Sequence, residues 1–79
     1  MGRKLVHLIF PQELIKEPVI YTVAKKFDVV PNIRRANVTE TVGEVTLELS
    51  GDEENLKQAE QYLESIGVEV KPLPRDVIE

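Results

Sequence analysis

The segment EVTLELS, residues 44–50, constrains the fold more than any other stretch of the chain. Apolar and polar side chains alternate in it, with Val45, Leu47 and Leu49 in one phase and Glu44, Thr46 and Glu48 in the other. This alternation predicts a β-strand that buries one face and leaves the other in water. We therefore expect an antiparallel sheet that is covered on one side only.

Two segments have the 3.6-residue periodicity of amphipathic helices. The first is EPVIYTVAKKF, residues 17–27, in which Pro18 suits the first helical position. The second is SGDEENLKQAEQYLESIG, residues 50–67, which Gly67 is expected to end. Its N-cap is Ser50, through a capping box with Glu53, or alternatively Asp52.

Three further segments have strand character: KLVHLIF (4–10), VVPNIRRANVTE (29–40) and VEVKPL (68–73). The resulting order β-α-β-β-α-β predicts an α+β fold of the ferredoxin-like type. Its four-stranded antiparallel sheet has the strand order 4-1-3-2 and carries both helices on one face. We expect one domain over residues 1–73, followed by a flexible C-terminal tail over residues 74–79.

The second strand carries a defect in its apolar phase. Ile33 is expected to face inward, but the next inward apolar residues are Ala36 and Val38, so the phase slips by one residue. A β-bulge inserts one extra residue and produces such a slip. We therefore predict a bulge at residues 32–35, and Pro31 fits because proline in sheets is confined to strand starts, edges and bulges.

In the predicted strand order this second strand lies at an edge. The amide of Asn32 can donate and accept hydrogen bonds, and the guanidiniums of Arg34 and Arg35 can hold a carboxylate. These side chains are therefore candidates for binding a small amino-acid-like ligand. Charges and a bulge on an edge strand also block edge-to-edge aggregation, and residue chemistry alone favours this second interpretation.

Composition argues against most catalytic chemistries. Without cysteine the chain offers no disulfide, thiolate nucleophile, cysteine-bound zinc or iron–sulfur site, and His7 is its single histidine. We predict no enzyme, no catalytic residues, no metal site and no cofactor. The net charge of −4 and the glutamates of the EVTLELS strand argue against nucleic-acid binding. The apolar run at residues 5–10 is too short to span a membrane, so we expect a cytoplasmic protein without membrane insertion.

Leu5 and Ile9 are expected on the uncovered face of a central strand. Contiguous apolar patches on an open sheet often mark interfaces. A homodimer through this face, or through the edge of the second strand, is therefore a hypothesis.

Several short motifs occur in the order found in one known family: EPVI at 17–20, Phe27, Asn32-Ile33, LSG at 49–51 and GVEV at 67–70. Together they resemble the NIL domain over most of residues 4–73. The resemblance implies a ferredoxin-like fold related to ACT regulatory modules. It also implies a place in ATPase subunits of methionine-import ABC transporters, or fusion to ferredoxins linked to sulfur-amino-acid metabolism.

By the same resemblance, Asn32 and Ile33 match the family motif and are ligand-side candidates, while Arg34 stands where the motif has leucine. The candidate ligand-binding residues are thus Asn32, Ile33, Arg34 and Arg35. The resulting hypothesis is a non-catalytic, ACT-like regulatory module that binds a small sulfur-containing amino acid such as methionine. It implies a homodimer and a transporter or ferredoxin-type partner. The alternative is a ligand-free protein-interaction or dimerisation domain that serves a partner in sulfur-amino-acid metabolism or transport.

Overall fold

The computed structural model describes residues 2–74, which form one antiparallel sheet and two α-helices. The elements are β1 (Gly2–Phe10), α1 (Val19–Phe27), β2 (Val30–Val38), β3 (Gly43–Gly51), α2 (Glu53–Ser65) and β4 (Glu69–Pro72). The strand order β2-β3-β1-β4 is the predicted order 4-1-3-2 read from the other edge, so the ferredoxin-like fold is confirmed. The predicted tail lies, apart from Pro74, outside the described residues.

β3 lies between β1 and β2 in the sheet. The prediction that its polar face is left in water is wrong, because Thr46 and Glu48 on that face are only 5% and 7% exposed. All nine residues of β1 pair with β3, from Gly2 opposite Gly51 to Phe10 opposite Gly43. The apolar phase of β3 faces the helices, and Leu47 has no exposed surface. The core consists of Val6, Leu8, Val19, Val23, Val29, Val45, Leu47, Leu49, Leu56, Ala59, Leu63 and Val68.

The helix ends differ in detail from the sequence expectations. Pro18 is the N-cap of α1 and not its first helical residue, and no side chain caps that end. Of the two predicted N-caps of α2, Asp52 is the one observed, because Ser50 still belongs to β3. Gly67, with a φ of 101°, ends α2 in the left-handed region that favours glycine, as predicted.

Hydrogen bonds to Thr39 close the connection between β2 and β3. The Thr39 N–H donates to the Val42 carbonyl at 2.7 Å. The Thr39 hydroxyl oxygen accepts from the N–H of Thr41 at 3.2 Å and from that of Val42 at 3.0 Å. Gly43 follows this turn without a positive φ, so its role is spatial. A Cβ atom at Gly43 would lie 3.1 Å from Ile15 Cγ1 and 3.2 Å from Phe10 Cβ.

Of the two residues expected to form an apolar patch on the open face, Ile9 is partly exposed but Leu5 is buried, so they do not form a contiguous patch. Leu5 is only 6% exposed, and its carbonyl accepts a hydrogen bond from the Leu73 N–H at 2.9 Å. The large apolar side chains that residues 2–74 do expose are Tyr21, Val30, Ile33, Val38 and Val42. Because three of these five belong to β2, the exposed apolar surface follows the free edge of the sheet.

Leu47 and Ile33 lie opposite each other on the same face of the sheet, which gives a matched pair of truncations. Leu47 is 0% exposed and Ile33 is 54% exposed. We expect Leu47→Ala to lower the free energy of unfolding by about 2–5 kcal/mol, because it removes buried methyl groups and leaves a cavity. Ile33→Ala should cost about 1 kcal/mol or less. Urea denaturation measures both, and equal losses would contradict the assignment of Leu47 to the core.

Candidate functional site

The predicted bulge in β2 is present. Ile33 pairs with Leu47 and Arg35 pairs with Thr46, so two successive residues of β3 face a stretch of three residues on β2. Arg34 is the extra residue, and it stands within the predicted range 32–35. On either side of the bulge the pairing of β2 with β3 is regular.

The bulge determines which side of the sheet each side chain of β2 occupies. Residues opposite each other in an antiparallel pair share a face. Ile33, Ala36 and Val38 therefore lie on the helix side, opposite Leu47, Val45 and Gly43. Asn32 and Arg35 lie on the open side, opposite Glu48 and Thr46. Arg34 also reaches the open side, since its Nη2 donates to Glu48 Oε1 at 3.3 Å.

The Arg34–Glu48 pair joins the bulge to the buried part of the open face. Glu48 is 7% exposed, which is unusual for a glutamate and calls for a charged or hydrogen-bonding partner. The side chain of Arg34 is 42% exposed. Its guanidinium therefore covers the Glu48 carboxylate on one side and contacts water on the other. Within residues 2–74, Arg35 makes no such ion pair.

His7 occupies the same open face on the neighbouring strand β1. Its Nδ1 lies 2.8 Å from Thr46 Oγ1, and its Nε2 lies 3.2 Å from Glu44 Oε1. A carboxylate only accepts, so Nε2 carries a proton, and in the neutral ring the Thr46 hydroxyl donates to Nδ1. Both ring nitrogens are thus used within the sheet, in agreement with a structural role for His7.

An apolar cavity of about 230 Å³ opens on the helix side of the sheet, where β2 ends and α1 begins. It is lined by Phe10, Leu14, Ile15, Glu17, Pro18, Val19, Ile20, Tyr21, Val38, Gly43 and Val45. Sequence reasoning missed this cavity because its wall comes from β1, α1, β2, β3 and the loop before α1. The one local feature of the sequence that points to it is Gly43, because a side chain at this position would collide with Phe10 and Ile15.

The four candidate residues Asn32, Ile33, Arg34 and Arg35 lie together on the exposed edge, but none of them lines this cavity. Asn32 pairs with Glu48 and Val38 pairs with Gly43. Val45 also lines the cavity and pairs with Ala36, so Ile33, which pairs with Leu47, is two residues along β3 from the cavity wall, or about 7 Å at roughly 3.4 Å per residue.

The part of the chain that the structure describes contains no group of three or more acidic or histidine side chains arranged to hold a metal ion. None of its helices is long and apolar enough to cross a membrane.

A sequence model of the NIL domain matches residues 4–72, which is nearly the whole chain. The chain belongs to the NIL domain family. It is 37% identical over 70 residues to the methionine import ATP-binding protein MetN 2 of Acinetobacter baylyi, covering 84% of this chain and 20% of that protein. It is 39% identical over 67 residues to the methionine import ATP-binding protein MetN of Streptococcus agalactiae, covering 80% of this chain and 19% of that protein. This NIL domain thus spans about a fifth of the length of these relatives.

A solved structure supports the same assignment. The C-terminal domain of an ABC transporter/ATP-binding protein from Enterococcus faecalis superposes with a TM-score of 0.81 at 29% sequence identity. The match covers 91% of this chain and 84% of that one. This NIL domain therefore has the same fold as a C-terminal domain of an ABC transporter/ATP-binding protein.

The two arginines of the bulge differ in their contacts and can be compared directly. We expect Arg34→Leu to lower the free energy of unfolding by about 1 kcal/mol, because it removes the hydrogen bond to the buried Glu48. Arg35→Leu should change it by less than about 0.5 kcal/mol. Urea denaturation at low and high salt measures both, and the loss from Arg34→Leu should shrink as salt screens the pair. Equal unfolding midpoints for the two variants would show that the Arg34–Glu48 contact contributes nothing.

Proposed function

We propose that this NIL domain is a non-catalytic, ACT-like regulatory module that binds a small sulfur-containing amino acid, such as methionine, along β2 and acts as a homodimer. The proposal rests on the different chemical character of the two sides of the β2 edge. This edge presents polar side chains on its open side and an apolar row on its helix side, and the row ends at the apolar cavity.

The Asn32–Ile33 step is suited to an amphipathic ligand. Neighbouring residues of a strand project to opposite faces, so a ligand against the edge can touch both side chains. Its ammonium and carboxylate groups would meet Asn32, Arg34 and Arg35 on the open side, where amide and guanidinium groups supply the matching donors and acceptors. Its apolar side chain would lie beside Ile33 on the helix side.

A second copy of the chain would enclose a ligand at the motif. Arg34 is the middle residue of β2, so when two β2 edges meet antiparallel over their whole length, Ile33 of one copy lies beside Arg35 of the other and Asn32 lies beside Ala36. The ligand's apolar group would then lie between Ile33 and the cavity wall at Val45 of its own chain, and the second copy would close it off from water. Such an arrangement also covers the exposed apolar side chains Ile33 and Val38, whose exposure suits an interaction surface.

The relatives support the choice of ligand and partner. Those quoted above carry the name methionine import ATP-binding protein, so we propose methionine as the first ligand to test and an ABC importer as the partner. Absence of catalysis, and the cytoplasmic location expected from the sequence, belong to the same proposal.

A second candidate function is protein interaction without a small ligand. The observation that favours it is the exposure of Tyr21 and Val38, which are 62% and 57% exposed at the mouth of the cavity. A side chain of a protein partner would fill the cavity as a ligand's side chain does. The titration below separates the two functions.

We expect L-methionine to shift backbone amide signals of residues 32–38 and of residues 19–21, which begin α1 beside the cavity, in NMR spectra of the chain. At 100 times its dissociation constant it should stabilise the fold by about 2.7 kcal/mol, measured as a rise in melting temperature. If neither methionine, homocysteine nor a related amino acid at millimolar concentration produces a response, ligand binding is contradicted. The protein-interaction function without a small ligand would then be favoured.

Asn32→Ala should weaken methionine binding by about tenfold, because the loss of one hydrogen-bonding side chain costs roughly 1 kcal/mol or more. Asn55→Ala, in the first turns of α2, removes the same side chain away from β2 and serves as the matched control. Equal affinities of the two variants for methionine would show that the Asn32 side chain does not contact the ligand.

A further inference from the structure

One band of the open face is buried, although both helices pack against the other face of the sheet. The band consists of Leu5, Thr46 and Glu48, which are 6%, 5% and 7% exposed. Leu5 lies opposite Glu48 and therefore shares its side of the sheet. His7 and Ile9, farther along β1 on the same side, remain partly exposed. The burial is thus confined to this band and is not a property of the whole open face.

The described neighbours of the band are themselves in contact with water. The side chain of Arg34 is 42% exposed and that of His7 is 26% exposed. Leu73, the apolar neighbour of Leu5 at the β4 side, is also partly exposed. The structure contains a single chain, so a second copy does not account for the burial.

The chain leaves β4 directly beside the band. The Leu73 N–H donates to the Leu5 carbonyl at 2.9 Å, one residue beyond the pairing of Val6 with Pro72. Pro74 follows, and it has no N–H with which to continue the strand. The next residues along the chain, RDVIE at 75–79, therefore begin next to Leu5.

This segment is long enough to cross the band. Neighbouring strands are roughly 4.8 Å apart, so the path from β4 over β1 to β3 is about 10 Å. Five extended residues span about 16 Å at roughly 3.3 Å per residue. Residues 75–79 can thus reach Glu48 and Thr46 on β3.

We propose that residues 75–79 dock on the open face of their own chain and cover the band. Arg75 brings a guanidinium to the Glu48 carboxylate, where paired hydrogen bonds between the two groups are possible. A carboxylate accepts several hydrogen bonds at once, so the contact with Arg34 is kept. Val77 and Ile78 supply the apolar surface that removes Leu5 from water.

The docked segment restricts where a partner can bind. A partner on the open face has to displace it, whereas the β2 edge and the cavity lie outside its path. The proposal does not depend on the ligand or the dimer of the proposed function.

NMR spectroscopy of the 79-residue chain tests the proposal directly. Methyl groups of Val77 or Ile78 should give nuclear Overhauser effects to the methyl groups of Leu5. Backbone order parameters of residues 75–78 should stay above about 0.6, below which a backbone is flexible. Absence of the methyl contacts overturns the proposal. If the order parameters also fall below about 0.6, the tail is flexible, as the sequence predicts.

Thiol labelling gives a second measurement, because the chain has no cysteine of its own. Thr46→Cys places a thiol in the band, and Ile9→Cys places one on the partly exposed end of the same face. Iodoacetamide should alkylate the Thr46→Cys variant about tenfold more slowly, because its thiol reacts only when the segment opens. Equal rates for the two variants overturn the proposal.

A charge substitution in the segment identifies what covers the thiol. Arg75→Gln, added to Thr46→Cys, should speed alkylation by about tenfold, since it removes hydrogen bonds to a charged group. Lys57→Gln removes the same charge from the exposed side of α2 and should leave the rate unchanged. Equal rates with the two added substitutions overturn the role of Arg75 and of its segment. Protection of the thiol that grows with protein concentration shows that a second copy covers the face, and also overturns the proposal.

Discussion

β2 has to place Ile33 and Ala36 on the same face of the sheet although three positions separate them in the chain. A regular strand cannot do this, because residues an odd number apart project to opposite faces. The inserted residue Arg34 resolves the conflict by a bulge and sends its own side chain to Glu48. The amphipathic character of this edge, and with it the candidate site, follows from that single insertion.

Patterns along the chain were enough to predict the element order, the strand order and the bulge. The alternation of β3 and the broken alternation of β2 are local properties, and each reports which face a residue must occupy. The partners across strands were not predictable in this way. The Arg34–Glu48 bond, the burial of Leu5 and the cavity beside α1 depend on register and on how side chains from distant segments share space. The Asn32–Ile33 motif was found by family resemblance, because residue chemistry alone also fits an edge strand that only avoids aggregation.

A domain of this size has little core to spare, and β2 contributes little to it. Most of its residues are exposed, and its pairing with β3 leaves its other edge without a neighbouring strand within residues 2–74. Long exposed edges invite pairing with other chains, and natural proteins protect them with charges and bulges. In this NIL domain the bulge and its two arginines, Arg34 and Arg35, are protective features of this kind.

The central claim is that β2 is where two copies and their ligand meet, and amide hydrogen exchange of the wild-type chain with and without L-methionine tests it most directly. Without ligand, amides on the free edge of β2 should exchange fast. With ligand, at a protein concentration that favours the dimer, protection should rise over residues 32–37, while β4 at the opposite edge keeps its exchange rates. Protection that appears along β4, or none along β2 although methionine binds, would contradict this account.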